Sequence, residues 1–294
     1  MQGIIIKSLS GFYYIECQGE VYQTRARGNF RQKKLTPLVG DTVIFESTNM
    51  TDGYLLQLLP RKNALIRPPV ANVDLGIVVV SAVEPDFSSN LLDRFLVILE
   101  AKNIQPLIYI SKIDLLKSRE EIKAIQRVYQ QIGYPVCLNL EELAEQKGYF
   151  KNKISVFIGQ TGAGKSTVIN ALDSTLKLAT GEISKHLGRG RHTTRHVELH
   201  KIYDGLIADT PGFSSIDLRE ISAAELSNLF IELAEAGRYC KFRACMHTHE
   251  PECAVKKAVA KGEIAQFRYD NYLQLLGEIE QRKPIYNKRT ERKK

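Results

Sequence analysis

An octapeptide near the middle of this 294-residue chain, Gly159-Gln160-Thr161-Gly162-Ala163-Gly164-Lys165-Ser166, leaves few folds open to it. It matches the pattern G-x-x-x-x-G-K-[ST], follows the apolar run Ile154–Ile158 and leads into residues 165–172, which have helical spacing. A strand, a glycine loop and a helix in that order let backbone N–H groups turn inward around phosphates at a helix amino terminus. Lys165 then reaches the β- and γ-phosphates, and the Ser166 hydroxyl is placed to ligate Mg²⁺, with Thr167 extending the run. Asp209-Thr210-Pro211-Gly212 follows a second apolar strand. An acid at the end of a buried strand beside such a loop suits a water-mediated hold on Mg²⁺, and the Gly212 N–H suits the γ-phosphate.

Ser111-Lys112-Ile113-Asp114 follows a third apolar run, residues 105–110, and looks like the N-K-x-D motif of GTPases. A carboxylate accepts from both N1–H and the 2-amino group of guanine, whereas adenine offers neither donor at that edge. The Lys112 stem would pack along the base or sugar. Ser111 stands where the motif has Asn and has fewer simultaneous bonding options, which leaves base selection to Asp114. In the usual GTPase order this motif comes last, yet here it precedes the phosphate loop. The element inventory accommodates a circular permutation. Residues 75–82 read as a strand buried on both faces, and residues 91–99 and 118–131 read as helices. Residues 135–140 read as a strand, with a guanine-side loop expected near Asn139. The result is a mostly parallel sheet with helices on both faces and its ligand loops at the carboxyl ends of the strands.

Residues 1–66 read differently. Short strands at 3–7, 12–17, 21–27, 41–46 and 54–59, separated by turns such as Ser10-Gly11 and Asp52-Gly53, predict a small barrel of the oligonucleotide-binding (OB) kind. Between the third and fourth strands, Arg25, Arg27, Phe30, Arg31, Lys33 and Lys34 interleave an aromatic with cations, a pattern that pairs phosphates and stacks a base. Beyond residue 214 the chain reads as helices near 223–236, 254–261 and 263–281. Between the first two lie Cys240, Cys245 and Cys253, with His247 and His249 among them. Three thiolates and one imidazole make a closed tetrahedral set for a structural Zn²⁺, and spacing alone allows either His. Cys17 and Cys137 fall in strands and are expected in the core. The chain thus divides into a barrel at 1–66, a permuted nucleotide domain at 67–213 and a helical metal-binding domain with a basic tail at 214–294.

Charge follows the same division. The net +8 splits into +3 for residues 1–66, 0 for 67–184, +4 for 185–196, −5 for 197–280 and +6 for 281–294. A neutral body with basic appendages is the pattern of a protein that touches a polyanion around a core with another task. No apolar run is long enough to span a bilayer, the amino terminus lacks a signal-peptide layout, and clustered Cys favour metal over disulfides; a cytoplasmic protein with no membrane association is expected.

The motif order, the preceding barrel and the following C-x₄-C-x-H-x₅-C segment resemble the RsgA (YjeQ/YloQ) family of circularly permuted GTPases, bacterial assembly factors of the small ribosomal subunit. The resemblance covers residues 1 to about 280 and rests on S-K-I-D ahead of G-Q-T-G-A-G-K-S-T, the R-H-T-T loop, D-T-P-G-F and the Cys/His segment. It implies GTP hydrolysis coupled to late 30S maturation, with GTP/GDP, Mg²⁺ and one structural Zn²⁺ as cofactors, and 16S rRNA as a partner of what is expected to be a monomer. It selects His247 over His249 as a zinc ligand. It makes residues 185–196 the first switch, where Thr194, or failing that Thr193, closes over Mg²⁺. Phe213 occupies the position after D-x-x-G where many GTPases keep a water-orienting Gln, and an apolar side chain cannot orient water. His192 is then the candidate, since a neutral imidazole accepts from the attacking water. Two other readings compete: a nucleotide-regulated RNA-binding module with negligible turnover acting on another RNA, and a P-loop kinase. Asp114 and D-T-P-G fit GTP hydrolysis better than transfer to an acceptor.

Overall fold

The computed structural model describes residues 1–28, 30, 35–66, 68–172, 197–209 and 218–282, with Asp209 described in its backbone alone. The chain forms two compact units. One comprises Met1–Ser88 with Ile98–Ile216, the other Ser89–Val97 with Asp217–Lys294.

In the first unit, β1 (Gln2–Leu9), β2 (Phe12–Cys17), β3 (Glu20–Ala26), β4 (Thr42–Ser47) and β5 (Gly53–Leu58) pair in the order β1-β2-β3-β5-β4, and β4 returns to β1. Closure leaves no free edge within the barrel. Alternation along the strands sends Ile5, Ile15, Val43, Phe45 and Leu55 inward, all fully buried. Phe30 is also buried, at 4% exposure. The expectation of Phe30 as a base-stacking surface is therefore corrected: the ring gains more from burial than from exposure beside cations. The outward aromatics are others. The Arg25 guanidinium lies 4.5 Å from the Phe12 ring centre, and Arg27 lies 5.7 Å from that of Tyr54 while pairing with Glu46. Arg31, Lys33 and Lys34 lie outside the described residues.

The segment leaving the barrel is held by hydrogen bonds. The Arg61 guanidinium donates to both carboxylate oxygens of the fully buried Asp41, at 2.6 and 2.7 Å. Asn72 donates to the Gly40 carbonyl at 2.9 Å and accepts from the Lys62 N–H at 2.9 Å. Between them β6 (Ala64–Ile66) and β7 (Pro69–Ala71) form a hairpin.

The α/β sheet runs β10 (Val136–Cys137), β9 (Gln105–Ser111), β8 (Leu75–Ser81), β11 (Ile154–Ile158), β13 (Gly205–Asp209), β12 (Glu198–Ile202). All neighbours are parallel except β12, which pairs antiparallel with β13 and, at Glu198 and Lys7, with β1 of the barrel. Every residue of β8 and β11 is buried, which is why these runs are continuously apolar. The strand expected at 135–140 shortens to two residues. Asn139 caps the Leu140–Glu145 helix by accepting from the Glu142 N–H at 2.8 Å, and the Glu142 carboxylate accepts from the Leu138 N–H at 2.7 Å.

The second unit is helical: Ala223–Leu226, Ile231–Gly237, Ala254–Ala260 and Gln266–Glu280, together with residues 89–97 of the Ser89–Ala101 helix. The continuous helix expected at 223–236 is interrupted by a 3₁₀ turn, Ser227–Leu229, and by Phe230 in extended conformation. The Phe230 ring is fully buried with the Arg268 guanidinium 4.5 Å from its centre. Arg268, 1% exposed, donates to Glu232 at 2.6 and 3.0 Å and pairs with the fully buried Asp93, which also accepts from Asn271 at 2.6 Å. Removing the cation would leave the buried Asp93 carboxylate and its neighbour Glu232 without the charge that compensates them. Arg268→Ala is expected to lower the unfolding free energy by about 3–5 kcal/mol. Urea unfolding measures it, and a loss below about 1 kcal/mol, the range of surface pairs, would contradict the burial argument.

Candidate functional site

The parallel register sets the site. Ser81 of β8 lies opposite Ser111 of β9, Val78 opposite Ile158 of β11, and Val156 opposite Ala208 of β13. The carboxyl ends of β9, β8, β11 and β13 therefore share one edge of the sheet, and each motif leaves from it. β12 runs the other way and begins beside Asp209, so residues 197–198 start from that same edge.

The phosphate-type loop spans β11 and the Lys165–Leu172 helix. Gly159 has φ +148°, and a methyl group there would sit 2.0 Å from the Val79 carbonyl oxygen, so only glycine permits this close approach to β8. Gly162 and Gly164 also take positive φ, at +83° and +90°. Ala163 between them is fully buried, while Thr161 and Thr167 are exposed and Gln160 and Ser166 are half-buried. The Lys165 ammonium folds back across the loop and donates to the carbonyl oxygens of Gly159 and Gln160, both at 2.7 Å. Burial pushes its pKa down to about 8.

On the neighbouring strand end, Ser111 is 6% exposed and its hydroxyl donates to the Ala163 carbonyl at 2.6 Å. Lys112 takes a left-handed backbone (φ +58°), and its ammonium donates to the Glu84 carbonyl. Ile113–Leu115 form a 3₁₀ turn that leaves the Asp114 side chain exposed. The structure thus brings Ser111–Asp114 beside Gly159–Thr167, although the two segments lie far apart in the chain. Sequence reasoning missed Glu84, whose carbonyl holds Lys112; a backbone acceptor carries no residue-type signal. Asn139, near which a guanine-side loop was expected, has its carboxamide engaged in capping. Gly212, His192, Thr193 and Thr194 lie outside the described residues.

In the second unit, Cys240, Cys245, His247 and Cys253 converge, with their ligand atoms all within 4.8 Å of one another. Cys240 Sγ lies 3.8 Å from Cys253 Sγ and 3.7 Å from His247 Nδ1, which lies 3.4 Å from Cys253 Sγ. A tetrahedron with metal–sulfur bonds of about 2.3 Å and metal–nitrogen bonds of about 2.0 Å has edges of about 3.8 and 3.5 Å. The donor set therefore fits four-coordinate thiolate and imidazole ligation with no open position. His249 is exposed and outside the cluster. Burial would raise the Cys240 thiol, but N–H donors from Ala254 and Val255, with the facing thiols, outweigh it and hold the group below the ordinary thiol range. Two tyrosines on the Gln266–Glu280 helix position the loop. Tyr269 donates to the His247 carbonyl at 2.5 Å and Tyr272 to that of Met246 at 2.6 Å. Their i, i+3 spacing marks one helix face, though not what it would hold.

A barrel joined to a parallel sheet whose phosphate-type loop follows, in the chain, a base-selecting type of turn defines a circularly permuted P-loop GTPase. The sequence pattern of the RsgA GTPase matches residues 58–219, and that of the RsgA N-terminal domain matches residues 2–55. A protein of Enterococcus faecalis named small ribosomal subunit biogenesis GTPase RsgA is 57% identical over 99% of both chains. The crystal structure of YloQ, described as a circularly permuted GTPase, superimposes with a TM-score of 0.82 at 45% identity, covering 97% of this chain and 96% of that one. YjeQ from Thermotoga maritima gives 0.83 at 34% identity, covering 96% and 99%. The chain belongs to the RsgA GTPase family.

An arriving phosphate favours the charged form of Lys165, which burial disfavours. Phosphate binding above the depressed pKa must therefore take up a proton. GDP affinity is expected to be level below the Lys165 pKa and to fall as pH rises through about 8. Fluorescent-nucleotide titrations from neutral to alkaline pH check this; an affinity that stays level through that range contradicts it.

Proposed function

We propose that this chain binds GTP and Mg²⁺, hydrolyses GTP to GDP and phosphate, and couples that cycle to late maturation of the 30S ribosomal subunit. The observation that carries the reading is the meeting of the Lys165 loop and the Ser111–Asp114 turn at adjacent strand ends, in a chain whose relatives bear small-subunit biogenesis in their name. Gly159–Thr167 cradle the phosphates, with Lys165 on the β- and γ-phosphates. Ser166, Thr194 and Asp209 hold Mg²⁺, the last through water, and Gly212 donates to the γ-phosphate. Asp114 selects guanine, flanked by Lys112 and Ile113. His192 accepts a hydrogen bond from the attacking water.

Cys240, Cys245, His247 and Cys253 hold one Zn²⁺. When bound, that ion would cross-link a loop between two short helices that have little core of their own. The three domains, 1–66, 67–213 and 214–294, act as a monomer in the cytoplasm. Among the described residues no helix is long and apolar enough to cross a membrane. Arg25 and Arg27 with their Phe12 and Tyr54 neighbours, together with Arg31, Lys33 and Lys34, grip 16S rRNA, and the basic loop and tail add to that grip.

With an apolar Phe213 after D-x-x-G, turnover by the chain alone is expected to be slow, and 30S subunits are expected to raise it on the order of tenfold or more. Steady-state phosphate release with and without 30S, 50S and 70S particles measures this, and equal rates would sink the coupling. His192→Ala is expected to remove roughly a hundredfold of the stimulated rate. Asp114→Asn is expected to shift preference from guanine to xanthine nucleotides, because an amide N–H then meets the 2-position carbonyl. Unchanged preference in a competition assay would reject Asp114 as the selector.

A further inference from the structure

His247 sits in the left-handed backbone region, at φ +58°, where few residues with a side chain settle unaided. A set of hydrogen bonds to the run from Cys245 to Thr248 holds it there. The Met246 N–H donates to Oε1 of Glu250 at 2.6 Å, and the Thr248 N–H donates to Oε2 of the same carboxylate at 2.9 Å. The His247 N–H between them donates to the Cys245 sulfur. Tyr272 and Tyr269 donate to the carbonyls of Met246 and His247. Pro251, next in the chain, disfavours a helical backbone at Glu250.

One carboxylate therefore fixes two ligand positions. The Met246 N–H belongs to the peptide that follows Cys245, and the Thr248 N–H to the peptide that follows His247. A peptide is planar, so holding its N–H orients the whole unit. Backbone N–H groups on either side of a left-handed residue make a concavity that takes an anion, and here the chain supplies its own. The imidazole is confined as well. A methyl group on Gly237 would come within 3.3 Å of its Cε1, and the Tyr272 ring centre lies 6.3 Å from that of the imidazole. Its Nδ1 is left 3.4 Å from Cys253 Sγ and 3.7 Å from Cys240 Sγ. Glu250 lies outside the donor set, and both its oxygens are engaged by the backbone, so it acts on where the ligands sit.

We propose that Glu250 is a positioning residue for the metal set, its two carboxylate oxygens fixing the spacing of Cys245 and His247 through the backbone between them. The inference rests on the zinc site proposed above. A turn that the protein has already ordered spares an arriving metal the entropy of ordering it, and the gain is read as affinity.

The test uses the full chain, stripped of metal under reducing conditions. Chelator competition gives its Zn²⁺ affinity, and Co²⁺ in place of Zn²⁺ gives a visible absorption that reports tetrahedral thiolate and imidazole ligation. Glu250→Ala is expected to weaken Zn²⁺ by about ten- to a hundredfold and to shift the Co²⁺ absorption. Glu250→Asp keeps the charge but is too short to span both N–H groups, and is expected to lose affinity as well. Tyr272→Phe, which removes only the hydroxyl on the Met246 carbonyl, is expected to lose roughly three- to tenfold. Leu226→Ala empties a fully buried position away from the loop; it is expected to lower stability while keeping both the affinity and the absorption. Undiminished affinity in Glu250→Ala would overturn the proposal. Undiminished affinity in Glu250→Asp would also do so, by assigning the residue to charge alone. A loss in Leu226→Ala as large as that in Glu250→Ala would assign the effect to folding and overturn it too. If Glu250→Ala fails to fold, the Asp and Tyr272→Phe variants carry the comparison. Failure of the unaltered chain to bind Zn²⁺ would overturn the metal site itself, an outcome separate from all of these.

Discussion

Burial of β8 between two parallel neighbours is the constraint on which the nucleotide site depends. All its residues are buried, and it accepts β9 on one edge and β11 on the other. Parallel pairing puts the carboxyl ends of the three strands side by side, so their loops must meet. The same packing brings the Val79 carbonyl against Gly159 and the Ser111 hydroxyl against Ala163. Lateral order in the sheet, β9-β8-β11-β13, composes the site; order along the chain does not enter. That is why a permuted sequence can assemble the site that an unpermuted one would. The strand ladders that align the motifs are kept whatever the order along the chain.

The two units are stabilised by different means. The first has extended sheets and buried aliphatic strands, and its barrel is tied to the parallel sheet by directional bonds: Arg61 to Asp41, Asn72 to Gly40 and Lys62, and Lys7 to Glu198. The helices of the second are short, apart from the fifteen residues of Gln266–Glu280. There polar chemistry does more of the ordering. Arg268 gathers Asp93 and Glu232 beneath Phe230, and Tyr269 and Tyr272 hold the backbone on which His247 sits. A loop carrying three thiols and an imidazole at tetrahedral spacing would gain a cross-link from a bound metal.

The barrel's outward cations lie over aromatic rings, Arg25 on Phe12 and Arg27 on Tyr54. The buried strands β8, β9 and β11 carry no charged residue, as the cost of burying charge requires, and the surrounding stretch 67–184 balances thirteen cations against thirteen anions. The basic excess falls on segments outside them.

The sequence by itself determined the local chemistry. Gly159, Gly162 and Gly164 mark a loop with positive φ, the apolar runs of β8 and β11 mark strands buried on both faces, and the Cys spacing marks a closed metal set. Each of these signals depends on near neighbours in the chain, which is why the barrel, the permuted sheet and the Cys/His cluster were all legible. What only the tertiary structure decided depends on distant partners. Phe30 looked like a surface ring among cations and is buried, at 4% exposure, and spacing alone did not separate His247 from His249, of which only His247 lies in the cluster. The strand at 135–140 ended early because Asn139 found a cap, and the helix at 223–236 broke because Phe230 entered the core. Ser111 looked like a weakened base-side residue, and its contact with Ala163, 52 positions away, places it against the phosphate loop. Hydrophobic period and turn chemistry are written residue by residue, whereas the partner of a buried hydroxyl or ring is set by which strands the sheet brings together.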